Sequence, residues 1–530
     1  MYIEPNTSIY ILKGVPLDPT YDHTIYWTYP TDQVSYFLGK AKHTLTRQMY
    51  QRSNKGSMRI KKKAEELYDC NYLMFQNTAF GNKWFFAFIT SVNYINNEVS
   101  EVNYQIDVMQ TYHFDYVLKP CFVEREHSET DNVGDNLVPE NLDIGEYVYD
   151  KPTTTGYLDN VVLIIACTFN NNYEARGGAV YGGLYSGLVY HVYNENQYQD
   201  AELFIQNAGN ASDGFVSMFY YPADMMPDPG SLSVAKVQNI QKNKVVSGSI
   251  AGHQVVNKKL FTYPYNYLYV TNLQGNAAEY RYEFFEGNAC NFLLSGDYVP
   301  QCTMILRPNG YKSPASGLLD PEPFLGNVDE MLTLSGWGQV PFATDSYKAW
   351  LAQTASNALS KSIATGLSAG VASLIGGNAL YAAGAALASQ AATVGEMAVR
   401  SFLQAVKPQL GIPNQAHGNF SLNPLLALGY LDFYFYNKHI TREYAEIIDG
   451  YFTRYGYACH KLKEPNRNAR PEFNYVKTSD CLIEASDLNG YGMPADDEAT
   501  ICGIYNNGIT FWKNPAHIGD YTVNNAPTNQ

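Results

Sequence analysis

From Ser362 to Gly395 the chain has no charged residue, and Ala, Gly and Ser make up most of that stretch, which Lys361 and Glu396 bound. Tyr381 is its only aromatic, and β-branched residues stand singly apart from Thr393-Val394, so its composition favours helix over strand. A bilayer core needs roughly 20 residues of helix, a length this segment exceeds. Thr365, Ser368, Ser373, Asn378, Ser389 and Gln390 make it too polar for a permanent transmembrane helix and suit one that enters lipid conditionally. Gly366 and Gly370 have the spacing that lets helices approach closely in lipid, and Ala379, Ala382, Ala383 and Ala386 give a second smooth face. Ile363, Leu367, Val371, Leu374, Ile375, Leu380, Tyr381, Leu387 and Val394 are the side chains expected to meet the membrane.

Residues Asp345 to Lys407 are read as a hairpin bent near Gly376-Gly377-Asn378, with arms of about 30 residues and about 45 Å if helical. In solution such a surface must be hidden, and the lumen of a ring would hide it. A helical hairpin buried in an ordinary core is the alternative, although small residues bury little area. A flexible linker does not fit the Ala content or the flanking Trp350, Leu351, Phe402 and Leu403.

The rest of the chain has a different texture. Tyr occurs 45 times and aromatics make up 14% of residues against 16% charged, a balance suited to half-buried sheet surfaces and subunit contacts. Trp84, Phe86 and Phe88 alternating with Phe85, Ala87 and Ile89, and the period-two set Val102, Tyr104, Ile106 and Val108 after a polar turn at Asn96-Asn97, predict a hairpin. Its first strand carries large residues on both faces, as expected of a strand covered on both sides. Further strands are expected at Val161 to Cys167, Leu188 to Val192, Phe215 to Tyr221, Tyr267 to Val270, Phe292 to Leu294, Phe473 to Thr478, Ile501 to Ile504 and Ile509 to Trp512. Short helices are expected near Lys61 to Tyr68, Ala201 to Asn207 and Tyr444 to Phe452. The fold class is therefore mainly β, with sandwich-like sheets and one long hydrophobic loop insertion, helical or irregular.

A net charge of -15 argues against a protein that grips DNA phosphates, while a conduit that passes DNA without holding it is compatible with acidity. The start, Met1-Tyr-Ile-Glu-Pro-Asn, has neither the basic head nor the apolar core of a secretory signal, so folding in the cytoplasm is expected. The eight Cys form no C-x-x-C pair and are read as free thiols. Glu124-Arg-Glu-His127 lies on a predicted strand, where neighbours point to opposite faces, so a local ion-pair network or an interface contact is expected there and no catalytic or metal cluster. Asp320-Pro-Glu322 and Asp496-Asp-Glu498 do not follow a calcium-loop pattern. Gly366-Leu-Ser368-Ala-Gly370 matches G-x-S-x-G but has Ala-rich flanks where a hydrolase elbow needs a strand and a helix. No cofactor, metal or catalytic residue is assigned.

Trp84-Phe-Phe-Ala-Phe-Ile-Thr, Tyr104-Gln-Ile-Asp-Val-Met-Gln-Thr-Tyr-His-Phe-Asp115 and Phe122-Val-Glu-Arg-Glu-His127 resemble, in that order, the tail-knob (distal tube, or lower collar) proteins of Picovirinae-type short-tailed phages, the salasviruses and their relatives. Gly411-Ile-Pro-Asn-Gln-Ala-His-Gly-Asn419, Tyr451-Phe-x-x-Tyr-Gly-Tyr457, Arg470-Pro-Glu-Phe-Asn-Tyr-Val-Lys-Thr478 and Gly508-Ile-Thr-Phe-Trp512 continue the likeness to the far end. The resemblance implies a homohexameric, hollow, β-rich cylinder in the virion tail, with a tube-forming domain at residues 1–150, a knob region at 151–345, a membrane-active loop at 346–410 and a β-rich region at 411–530 that completes the wall. It also implies loops that plug the lumen and later form a channel in the host membrane. The implied partners are other tail proteins (proximal tube or collar, tip enzyme and appendages), the host cell membrane, and double-stranded DNA in transit. A receptor- or glycan-binding tail protein without membrane activity is the second reading, because Tyr, Trp and Asn on β-loops suit sugars as well as subunit contacts.

Overall fold

The computed structural model describes residues 6–48, 55–156, 161–167, 169, 171–172, 179–181, 184–186, 189–208, 215–226, 237–273, 275–296, 303–311, 332–335, 432–485 and 492–527. The chain is mainly β and divides into two units, each woven from separate stretches. The first comprises Met1–Glu146, Ser247–Tyr265 and Ile440–Gln530; the second comprises Tyr147–Val246 and Asn266–His439.

The first unit contains a six-stranded antiparallel sheet in the order Ala41–Gln48, Thr7–Leu12, Tyr72–Gln76, Phe85–Asn96, Val99–Ile106 and Lys55–Ile60. The expected hairpin is present, and Val99–Ile106 alternates between buried and half-buried side chains as a period-two pattern requires. Phe85, Phe86, Ala87 and Phe88 are all buried because both faces of the sheet are covered there. On one face Phe86 lies 4.7 Å from Phe37, which also stacks on Tyr72 at 5.3 Å; on the other Phe85 stacks on Phe75 at 5.3 Å. From Thr90 the strand runs out of this cover and is largely exposed.

Strands Ala41–Gln48 and Lys55–Ile60, separated by residues 49–54 alone, occupy opposite edges of the sheet. A flat sheet of six strands would hold its edges about 24 Å apart. Seven peptide units reach about 25 Å at most, and the sheets are curled.

Phe37 belongs to the helix Pro30–Gly39, which the sequence reading placed in strand texture; Pro at its first turn presets the helical φ and needs no amide partner. Val108 also departs from expectation. The strand stops at Ile106, and Asp107 caps a short helix, Val108–Thr111, by accepting from the Gln110 amide at 3.1 Å. Ile501 to Ile504 is helical and not a strand: it lies in Ala495–Asn507, whose first turn carries Asp496, Asp497 and Glu498 where the helix dipole favours them. Ile501, Ile504 and Tyr505 then fall at i, i+3 and i+4 and are buried. Near Lys61 to Tyr68 a single 3-10 turn forms, Ala64–Glu66.

A second sheet of the first unit runs in the order His23–Ile25, Ile509–Trp512, Phe473–Ser479, Cys121–Glu126 and Tyr457–Lys463. Its first pair is parallel and the others antiparallel. The helix Arg442–Tyr455 extends the expected Tyr444 to Phe452 segment.

Among the described residues the second unit holds the two-stranded pair Ala179–Tyr181 with Leu184–Ser186 and three larger sheets. Val161–Cys167 lies between Val189–Tyr193 and Phe215–Pro222; Gln238–Asn243, Ala289–Gly296, Thr303–Asn309 and Leu332–Ser335 follow one another; and Tyr147–Tyr149, Tyr434–Ile440, Asn266–Thr271 and Ala277–Tyr280 form the third. Ile164, Leu268, Val270, Phe292, Leu294, Leu306, Phe433 and Phe435 belong to its core. The helix Tyr198–Gln206 covers the stretch where one was expected. The cysteines of the described residues are free thiols.

Candidate functional site

The sequence segments that carry the family resemblance at the two ends of the chain meet in the second sheet of the first unit, where Cys121–Glu126 lies between Phe473–Ser479 and Tyr457–Lys463. Along Glu124-Arg-Glu-His127 each side chain is occupied by a structural partner. Glu124 accepts from Lys477 at 2.8 Å and from the Ser479 hydroxyl at 2.5 Å, which holds its pKa below the usual glutamate value. The buried Glu126 pairs with Lys463 and accepts from the Asn466 amide at 3.1 Å.

Arg125 pairs with Glu140, donates to the Gly456 carbonyl at 2.6 Å, and lies 4.7 Å from the Tyr451 ring. Glu140 accepts in addition from buried Lys259 at 2.6 Å and from the Ala458 amide at 2.9 Å, so one carboxylate is shared by two cations. Gly456 joins the helix Arg442–Tyr455 to the strand Tyr457–Lys463 at a φ of 64°, and a Cβ there would run into the Glu126 carbonyl. This accounts for the glycine in Tyr455-Gly-Tyr457.

His127 is held at both nitrogens. Nδ1 accepts from the Tyr475 amide at 2.7 Å and Nε2 donates to the Thr453 carbonyl at 3.0 Å. Burial, reinforced by the positive Arg470, lowers its pKa to about 3, so the ring is neutral at physiological pH, with its one N–H held by the Thr453 carbonyl. Asp449 fastens the inserted stretch Ser247–Tyr265 by accepting from His253 Nε2 at 2.8 Å and from the Val256 and Asn257 amides at 2.8 and 2.9 Å. The arrangement is an ion-pair and hydrogen-bond joint, as the alternation of the strand predicted.

A second polar hub, unforeseen from the sequence, surrounds Gln110. Its Oε1 accepts from Trp27 Nε1 at 2.8 Å and Gln33 Nε2 at 3.0 Å, while its Nε2 donates to Thr24 Oγ1 and the Ile25 carbonyl, each at 2.9 Å. Asp497, from the acidic run considered for a cation, accepts from the Tyr112 hydroxyl at 2.8 Å. Among the described residues no cluster of three or more His, Cys, Asp or Glu could hold a metal ion.

The expected membrane-contacting residues Ile363, Gly366, Leu367, Gly370, Val371, Leu374, Ile375, Leu380, Tyr381, Leu387 and Val394 lie outside the described residues, as do Ser368, Asp320 and Glu322. The described chain on either side belongs to the second unit: Leu332–Ser335 pairs with Thr303–Asn309, and Tyr434–Ile440 pairs with Asn266–Thr271. Asp432 fixes the return by accepting from the Phe433 amide at 2.6 Å and the Thr155 amide at 3.3 Å. No helix of the described residues is long and apolar enough to cross a membrane.

The sheet entered by Tyr434–Ile440 has two contrasting faces. Leu268, Val270, Tyr280 and Phe435 point to the core. On the other face the register sets Tyr267 opposite Lys438 and Tyr269 opposite both Tyr436 and Glu279. Tyr147 and Tyr149 join them, 5.6 Å from Tyr267 and 5.5 Å from Tyr269. The Lys438 ammonium lies 4.7 to 5.5 Å from four of these rings and donates to Glu279 at 2.9 Å. Burial works against its charge, but Glu279 and the Tyr149 hydroxyl outweigh burial and raise its pKa.

Comparison with known proteins places these features in a family. Residues 233–526 match the C-terminal domain of the tail knob protein gp9 of Bacillus phage phi29, and residues 5–117 match the N-terminus of the caudoviral major tail protein. The tail knob protein gp9 of Bacillus phage B103 is 25% identical, and that of Bacillus phage phi29 24% identical, each over 98% of this chain and 98% of the relative. The structure of the bacteriophage C1 tail knob protein, gp12, shares the fold at a TM-score of 0.64 and 12% identity, over 98% of this chain and 99% of that one. The matched family model covers more than half of the chain, and the ordered motifs at both ends agree with it: the chain belongs to the family of phage tail-knob proteins.

Proposed function

We propose that this tail-knob protein assembles as a homohexameric conduit for genome ejection, and that its apolar loop, residues 346–410, plugs the lumen before infection and then inserts into the host cell membrane. The observation that carries the reading is the uncharged run from Ser362 to Gly395, too small-sided for a core and too apolar for solvent. The curled sheet with strands at two edges supports assembly, since pairing or closure of edges protects them in a ring. The net charge of -15 supports passage of DNA without capture. The polar partners held by Glu124, Arg125, Glu126 and His127 support a structural role without catalysis. The same loop would meet the cell envelope, and the proximal tube, tip enzyme and appendages would be its neighbours in the tail.

The test is a full-length protein with Leu374→Asp and Leu387→Asp. Each charge at mid-bilayer costs about 3 kcal/mol on insertion scales. Ring assembly is expected to persist by negative-stain imaging while liposome dye release and DNA delivery are lost. Wild-type delivery by the double variant would refute membrane insertion by this loop.

A further inference from the structure

We propose that Cys481 and Cys502 are an oxidisable thiol pair, reduced while the subunit folds and joined by a disulfide once the tail meets an oxidising medium. Three elements of the first unit bring the sulfurs together. Cys481 lies in the short link between Phe473–Ser479 and Ile483–Ala485, Cys502 lies on the helix Ala495–Asn507, and Cys121 opens the strand Cys121–Glu126. Cys502 and Asn506 are one helical turn apart and share a face. Asn506 accepts from the Cys481 amide at 3.1 Å and from the Thr478 hydroxyl at 2.9 Å, which fastens the link against the face that carries Cys502. On the strand side Ser479 pairs with Phe122, and the Leu482 carbonyl accepts from the Lys119 amide at 2.9 Å, so Cys481 also passes beside Cys121.

The thiols are in direct contact. Cys481 donates to the sulfurs of Cys502 and Cys121, and each of those sulfurs accepts in addition from a backbone amide, that of Ile483 for Cys502 and that of Leu482 for Cys121. Cys121 and Cys481 are buried and Cys502 is half-buried, so Cys502 is the sulfur that an oxidant reaches first. Burial raises the pKa of all three thiols, which keeps thiolate scarce at neutral pH and makes oxidation slow. A slow reaction suits a tail protein, which folds among the reduced thiols of the cytoplasm and leaves the cell in the virion.

With oxidised glutathione as the oxidant, the Cys502 thiolate attacks one of its sulfurs and releases one glutathione thiolate. The Cys481 thiolate then attacks Cys502 Sγ of the mixed disulfide and releases the second. Two protein thiols and one oxidised glutathione become one protein disulfide and two glutathione thiols, the protein's two protons passing to the leaving sulfurs. The bond ties the link at Cys481 to the helix at Cys502 and so staples the sheet in which the two ends of the chain meet.

Full-length protein, purified under reducing conditions and then incubated with oxidised glutathione, tests the assignment. Remaining thiols are alkylated in denaturant and the peptides are mapped by mass spectrometry without reduction. An intramolecular Cys481–Cys502 bond is expected, with a thermal midpoint about 2 °C or more above that of the reduced protein and reversal by dithiothreitol. Cys502→Ser is expected to remove both the bond and the shift, and the wild-type peptide map decides the pairing even if that variant folds poorly. The proposal is overturned if all three cysteines remain open to alkylation or if oxidation stops at a glutathione adduct on Cys502. It is also overturned if the bond joins Cys121 to Cys481 or joins two copies, or if the bonded and reduced proteins melt at the same temperature.

Discussion

Each unit contains a lysine paired with a glutamate among aromatic rings, and the two pairs have opposite roles. In the first unit Lys259 and Glu140 are both buried, and Glu140 also serves Arg125. In the second unit Lys438 is enclosed by tyrosine rings, and its partner Glu279 is 41% exposed at the rim of the sheet face. A buried carboxylate shared by two cations cannot be removed without stranding them, whereas a rim pair returns to water when one partner is lost. Similar side-chain chemistry therefore fastens chain segments in one place and ends at a half-exposed rim of a tyrosine cluster in the other.

The strongest way to break this comparison is Glu140→Ala, which leaves Arg125 and Lys259 without their carboxylate. A loss of about 3–5 kcal/mol is expected in chemical denaturation; a loss below about 1 kcal/mol would show that the joint does not depend on it. Gly456→Ala comes next. Its positive φ and the collision with the Glu126 carbonyl predict a loss of about 1–3 kcal/mol and poorer pairing of Tyr457–Lys463, readable by hydrogen exchange.

His127 sharpens the comparison through pH. Its folded pKa of about 3 lies below the ordinary 6.5, so its contribution is fully present above about pH 6.5 and is lost as pH falls towards 3. The stability difference between wild type and His127→Gln is expected to shrink by about 1.4 kcal/mol per pH unit as the pH is lowered through that window. A difference independent of pH would mean that the ring is not held neutral. The smallest effect belongs to the rim pair: Glu279→Gln is expected to cost less than about 1 kcal/mol in the same denaturation experiment, and added salt should reduce even that.

These contrasts also explain which parts of the fold were legible in the sequence. Phe85 to Ile89, Val161 to Cys167 and Tyr444 to Phe452 announce themselves through local periodicity, because each buries a face that its own spacing defines. Ala495–Asn507 was misread at Ile501 to Ile504 although two local signals were available, the acidic first turn and the i, i+3, i+4 spacing of Ile501, Ile504 and Tyr505. The Glu124 to His127 alternation correctly indicated separate ion pairs, but nothing local indicated that Glu140 and Lys259 would complete them. The tyrosine face was hidden for a similar reason. Tyr147-Val-Tyr149 and Tyr267-Leu-Tyr269 each alternate visibly, yet the tyrosine cluster exists only through a register that joins them to Tyr436. The apolar run at Ser362 to Gly395 is the reverse case, conspicuous in sequence and outside the described residues.

His23–Ile25 runs parallel to Ile509–Trp512, with Phe473–Ser479 on the far side of the latter. During synthesis, then, the N-terminal strand must wait for a neighbour that leaves the ribosome nearly five hundred residues later. The second unit, encoded between them, is free to fold in the interval. A nascent chain interrupted before Ile509 would leave His23–Ile25 without its parallel neighbour and expose the edge of Phe473–Ser479.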